Sequence, residues 1–166
     1  MATVDNLKEA FAGESQANRK YLAFAKQAEK DGFPQIAKLF RAAAEAETVH
    51  AHAHLRALDG VGSTEKNLSE AIQGEGFEFM NMYPKFVEEA KAEDAAKALR
   101  SFENALAVEE IHHGLYSQAL ETMKTGSDLE STSIYVCSVC GNTVYGEAPD
   151  ECPVCKAKKQ AFFEIN

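Results

Sequence analysis

Four groups of glutamate and histidine at helical spacing constrain this 166-residue chain more than any other feature: Glu14; Glu47 with His50; Glu75 with Glu78; and Glu109 with His112. Residues three apart on an α-helix lie about 60° apart around its axis, so the members of each pair share a face. A single Glu-x-x-His is ordinarily a solvated surface pair. Four such groups on four successive helices point elsewhere. A four-helix bundle can build a two-metal carboxylate site from single glutamates on two helices and a Glu-x-x-His pair on each of the other two. The sequence holds that set plus one glutamate, and a mixed oxygen and imidazole shell suits iron or manganese. Glu14 follows Phe11 by one turn on the apolar stripe, where a carboxylate without a partner is costly.

An internal repeat supports the bundle independently of the ligands. The segment from Asn6 to Glu14 aligns with Asn67 to Glu75 at an offset of 61, matching at six of nine positions, and both copies end on a candidate ligand. At an offset of 62, Glu47 and His50 fall on Glu109 and His112. One helix hairpin used twice gives a site of approximate two-fold symmetry. The same offset favours Glu109 with His112 over the alternative register of Glu110 with His113. His52, His54 and His113 are expected to face solvent. Tyr21 and Tyr83 lie seven and eight residues after Glu14 and Glu75, a spacing that core packing explains as well as a place near the metals does. Phe77, Phe79, Met80 and Phe86 read as bundle core.

Punctuation marks off the helices. Asp5 is placed to cap the first, whose apolar positions Leu7, Phe11, Tyr21 and Phe24 recur until Asp31-Gly32. Pro34 suits the first turn of a second helix, which ends before Asp59-Gly-Val-Gly62. A third runs from about Asn67 to about Lys91, kinked at Pro84, which lacks a backbone donor. The fourth runs from about Asp94 to Lys124.

All four cysteines stand in the tail, as Cys137-Ser-Val-Cys140-Gly141 and Cys152-Pro153-Val-Cys155. Two Cys-x-x-Cys knuckles direct four thiolates at one ion tetrahedrally, and both iron and zinc accept that geometry. So short a segment has no core of its own and depends on its metal to fold. The domains expected are thus 1–124, a four-helix bundle; 125–133, a linker rich in Ser and Thr; and 134–166, a four-cysteine metal domain.

The net charge of -9 argues against nucleic acid as a partner, since phosphate binding needs clustered Lys and Arg. The start of the chain, Met1-Ala-Thr-Val-Asp5, carries no leader pattern, and no stretch approaches the roughly 20 apolar residues of a membrane span. The expected location is cytoplasmic, where thiols stay reduced and read as metal ligands.

Motifs in order along nearly the whole chain resemble those of the rubrerythrins: Gly13-Glu14-Ser-Gln-Ala-Asn-Arg19-Lys-Tyr21, Ala44-Glu45-Ala46-Glu47-Thr-Val-His50, Gly74-Glu75-Gly-Phe-Glu78-Phe-Met-Asn-Met-Tyr83-Pro84 and Val108-Glu109-Glu110-Ile-His112. The cysteine tail resembles that family's rubredoxin-like domain. The resemblance implies a mainly α protein, a ferritin-like four-helix bundle followed by a small rubredoxin-like domain. By position, Glu14, Glu47, Glu75, Glu78, Glu109 and His112 bind two irons, with Glu47 and Glu109 bridging them. Glu78 and His50 are implied as the pair that exchange on one iron, and Tyr21 and Tyr83 as the tyrosines of the oxygen pocket. Cys137, Cys140, Cys152 and Cys155 bind a third iron, or zinc. Lys156 departs from the glycine usual after the last cysteine of a rubredoxin.

The implied activity is reduction of hydrogen peroxide to water, with electrons from rubredoxin or an NADH-dependent reductase passing through the cysteine-bound iron. A ferroxidase that handles iron for storage and a zinc-ribbon interaction module are the other classes compatible with these residues. If the second and third helices run parallel, as in ferritin-like bundles, the eight residues from Asp59 to Lys66 must cross the bundle. They reach about 26 Å extended, and a helix of about 20 residues spans about 30 Å. A domain-swapped homodimer is therefore expected.

Overall fold

The computed structural model describes residues 2–166, so Met1, read above with the start of the chain, lies outside the described residues. The described residues form two compact units, divided between Gly62 and Ser63.

The first unit is a helical hairpin of α1 (Ala2–Lys30) and α2 (Pro34–Ala57). Asp5 lies inside the first turn of α1 rather than ahead of it; there its carboxylate meets the positive end of the helix dipole. The turn is the expected one. Gly32 adopts φ +83°, which glycine tolerates without strain, and Phe33 N–H donates back to Ala28 O at 2.8 Å. The seam between the helices is built from small residues. Ala37, Ala44 and Ala51 recur every seven residues along α2 and are buried, as are Ala25 and Ala28 on α1. Such a seam brings two helices close but hides little apolar area. Phe24, Ile36, Leu39 and Val49 remain exposed, Leu39 at 69%.

One polar clamp crosses the seam. The buried Asn18 amide donates to Ala44 O at 2.7 Å and to Thr48 Oγ1 at 2.8 Å. It fixes the register of α1 on α2 one turn beyond Glu14 and beside Glu47.

In the second unit, α3 (Thr64–Phe77) starts three residues before the expected Asn67, because Ser63 caps it through Oγ to Lys66 N–H. The expected kink is a π-helical segment, Glu78–Met82, which leads into α4 (Tyr83–Ala92). Pro84, in the first turn of α4, offers no N–H, and the preceding turn widens by one residue so that Tyr83 N–H donates to Glu78 O. Asp94 then takes φ +52°, and α5 (Ala96–Lys124) returns along α3 and α4. Rings of Tyr83, Phe86 and Phe102 meet at centroid distances of 5.5–6.3 Å between these helices.

Two expectations are corrected here. Phe77 and Met80, expected in the core, are exposed at 58% and 59%. His113 does not face solvent: it is half-buried, edge-on to Phe79 at 5.2 Å.

No helix or strand covers 127–133. Beyond it, β1 (Ile134–Cys137), β2 (Thr143–Tyr145) and β3 (Phe162–Glu164) form an antiparallel sheet in the order β2-β1-β3. The fold is mainly α with a small cysteine-bearing sheet, the class expected.

Candidate metal centres

The helical pairs meet the remaining glutamates in two groups of three. In the first unit, Glu14, Glu47 and His50 place ligand atoms within 4.8 Å of one another. His50 Nδ1 lies 2.9 Å from Glu47 Oε2 and 4.0 Å from Glu14 Oε1. In the second unit, Glu75, Glu109 and His112 do the same, with His112 Nδ1 2.9 Å from Glu109 Oε2 and 3.9 Å from Glu75 Oε1. The geometry repeats as the sequence repeats. In both groups Nδ1 turns toward the carboxylates.

Crowded carboxylates need a cation. Burial, and then the charge of Glu109, hold the Glu75 carboxyl above its ordinary value. Glu78 stands outside the group of three, in the π segment, yet its carboxyl is also raised, by burial and then by Glu75. Tyr83 is raised by burial first and then by Glu78, Glu109 and Glu75, so its phenol keeps its proton. Tyr116, which nothing in the sequence marked, is raised by burial and then by Glu75. Tyr21 lies in an aromatic cluster with Phe24 and Phe40. His52 is exposed and His54 half-buried.

The four cysteine sulfurs also converge within 4.8 Å. Cys137 and Cys155 Sγ are 3.7 Å apart, and Cys140 and Cys152 Sγ 3.6 Å apart. A tetrahedral metal with bonds of about 2.3 Å spaces its sulfurs about 3.8 Å apart, so the cage fits a metal rather than disulfides. Cys137 and Cys152 are buried. Burial pushes the Cys152 thiol up, and the N–H groups of Cys155 and Val154 more than offset this, leaving it lowered to about 7. Burial drives Cys140 far above the ordinary thiol value, a cost that a bound cation removes.

Lys156 explains why glycine is usual at its position. It takes φ +63°, its N–H donates to Cys152 O at 3.0 Å, and its Nζ donates to Pro153 O at 3.0 Å. The left-handed backbone costs a non-glycine residue about 1 kcal/mol. Lys156→Gly is therefore expected to raise the stability of the metal-loaded tail by about that amount, read as a higher temperature for loss of the cysteine-centre absorbance.

The cysteine loop reaches the second carboxylate group. Thr143 Oγ1 lies 3.0 Å from His112 Nε2, and a Cβ added at Gly141 would stand 3.7 Å from Val108 Cγ1, one turn before His112 on α5. Nothing in the sequence pointed to Thr143.

Comparison with known proteins matches both the helical part and the cysteine tail. The model of the family Rubrerythrin matches residues 5–120, and that of the rubrerythrin rubredoxin-like domain matches 135–163. The chain is 36% identical to Rubrerythrin-2 of Clostridium acetobutylicum, over 96% of this chain and 95% of that one. It is 34% identical to nigerythrin of Nitratidesulfovibrio vulgaris, over 97% and 85%. Structures of nigerythrin in partially reduced and fully reduced, all-ferrous states match with a TM-score of 0.59 at 32% identity, covering 98% of this chain and 86% of theirs. With both of the family's domain models matched in order, and with relatives above 30% identity over almost its full length, this chain belongs to the rubrerythrin family of oxidoreductases.

Proposed function

We propose that this protein is a peroxidase that reduces hydrogen peroxide to two waters with two electrons and two protons, the electrons arriving through the four-cysteine centre. One observation carries the reading: within the second unit, a carboxylate and histidine group and a tetrathiolate cage are joined by the contact of Thr143 with His112. A storage protein has no need of a thiolate centre at that place.

Glu14, Glu47, His50, Glu75, Glu78, Glu109 and His112 hold two iron ions, and Cys137, Cys140, Cys152 and Cys155 hold a third. The paired irons, when bound, supply the two electrons that cleave the O–O bond. The chain supplies protons and a dry, shaped wall. Glu78 sits where the widened turn ends α3, its carboxyl raised by burial and then by the charge of Glu75, and it has no place in the tight group of three. A carboxylate so placed is suited to relay a proton to a departing oxygen. Tyr83, its phenol kept neutral, and Tyr21 are the proposed hydrogen-bond donors to the oxidant.

The domain organisation proposed is 1–124 for the bundle, 125–133 for the linker and 134–166 for the rubredoxin-like domain. Each complete site is shared between two chains of a swapped homodimer. Two features support sharing. Only residues 58–63 join α2 to α3, reaching about 20 Å, whereas the 24 residues of α2 rise about 36 Å. A chain whose α2 and α3 ran parallel side by side needs more than that. Large apolar side chains are exposed on both units, Phe24, Leu39, Phe77 and Met80 among them, and are available for burial against a second copy. A second copy of this chain presents the matching half to each. The donor is rubredoxin or an NADH-dependent reductase, and the location is the cytoplasm; no described helix is long and apolar enough to cross a membrane.

The test is to reduce the iron-loaded protein without oxygen, mix it with peroxide or with oxygen, and follow the ferric-thiolate colour. Fast recovery with peroxide and slow recovery with oxygen is the expected result. Faster recovery with oxygen points to a ferroxidase, and a colourless zinc-filled tail removes the electron route.

A further inference from the structure

The two histidines related by the internal repeat are not equivalent. His50 and His112 each bring Nδ1 to 2.9 Å from their partner glutamate, but the His50 side chain is 55% exposed and that of His112 only 25%. The difference lies at the other ring nitrogen. His112 Nε2 is 3.0 Å from Thr143 Oγ1, and the Thr143 hydroxyl in turn donates to Gly141 O at 3.2 Å. A hydroxyl has one proton, and here it goes to a carbonyl, which accepts only. The Thr143 oxygen is thereby left as an acceptor, and the proton between it and the ring belongs to Nε2. With Nε2 protonated, the lone pair of the neutral ring is on Nδ1, the atom that faces Glu109 and Glu75.

We propose that Thr143 is a positioning residue of the carboxylate centre: its hydroxyl fixes the ring orientation and tautomer of His112, so that Nδ1 is presented to a divalent cation. Among the described residues His50 has no counterpart to it. The anchor is rigid for a physical reason. Thr143 opens β2, paired with Val136, and Gly141, which holds its hydroxyl proton, is set against the buried Val108 on the same face of α5 as His112. The cysteine loop is in this way a structural member of the carboxylate site. A metal ligand held by such an outer hydrogen bond binds its metal about 10- to 100-fold more tightly than one without it. The inference rests on the reading of His112 as a metal ligand, and not on which oxidant the protein uses.

Thr143→Val keeps the branched shape and removes the hydroxyl, and Thr143→Ser keeps the hydroxyl. With the cysteine site filled first, full-length chains of wild type and both variants are titrated with zinc(II) against a competing chelator. Long-range proton–nitrogen spectra of histidine-labelled protein report the His112 tautomer. Expected are a hydrogen-bonded Nε2 proton in wild type and Thr143→Ser, its loss in Thr143→Val, and an affinity at the carboxylate site lowered about 10- to 100-fold in Thr143→Val alone. Equal affinity and an unchanged ring in Thr143→Val would overturn the proposal, and so would an equal loss in both variants, which marks simple packing. Zinc does not turn over, so failure of the peroxidase reading leaves this outcome untouched.

Discussion

A heterodimer of one Glu47→Ala chain and one Glu109→Ala chain, isolated through two different affinity tags, is expected to recover about half of wild-type peroxide turnover, whereas either variant alone has almost none. Glu47 lies on α2 in the first unit and Glu109 on α5 in the second. If each site takes its first half from one chain and its second half from the other, the heterodimer concentrates both lesions in one site. The other site is then intact. If each chain completes its own site, every site carries one lesion and nothing is recovered. Each single variant fails because the glutamate is within 3 Å of its histidine and belongs to a group of only three ligand residues. Removing a direct ligand costs more than the 10- to 100-fold typical of an outer partner, roughly estimated. Iron content measured beside turnover separates lost metal from lost chemistry.

Removal of metal from the cysteine cage has the second large effect. Cys152→Ser, or a strong chelator, is expected to unfold residues 134–166 while leaving the helices in place. The tail buries Cys137, Ala148, Cys152 and Asn142 and little else, so its stability comes from the ion. Metal binding is worth about 10–16 kcal/mol in comparable small domains. Asn142, fully buried, donates to Cys152 Sγ at 3.7 Å and loses its acceptor in the variant. The readouts are loss of amide dispersion for 134–166 with helical circular dichroism preserved, and loss of NADH-linked peroxide turnover. In Cys152→Ser supplied with excess iron, which offsets the weaker hold on His112 once Thr143 is gone, a single peroxide oxidation of chemically reduced carboxylate-site iron is expected to survive. Continued steady turnover with the same donor would defeat the proposed electron route.

Much of this could be read from residues alone, because it depends on local periodicity. Glu47 with His50 and Glu109 with His112 must share a helix face wherever those helices go, and the structure finds both pairs at 2.9 Å. The cysteine knuckles likewise determine their own cage. Asp31-Gly32 ended its helix as glycine in the left-handed region does, and Pro84 changed its helix because it lacks a donor, though the sequence did not show that the change is a widened turn with Glu78 outside the group that holds Glu75.

Contacts between distant segments were not legible. His113 looked like a surface residue until Phe79 was seen against it. Phe77 and Met80 looked like core, because apolar character says that a residue seeks cover but not whether its own helices provide it. The sequence by itself determined the candidate ligand types and the helices that carry them, and within each pair the shared face follows from a spacing of three residues. Only the tertiary structure decided that Thr143, 31 residues beyond His112, holds that ring, since one hydroxyl among many acquires a role solely through the fold that brings it within 3.0 Å.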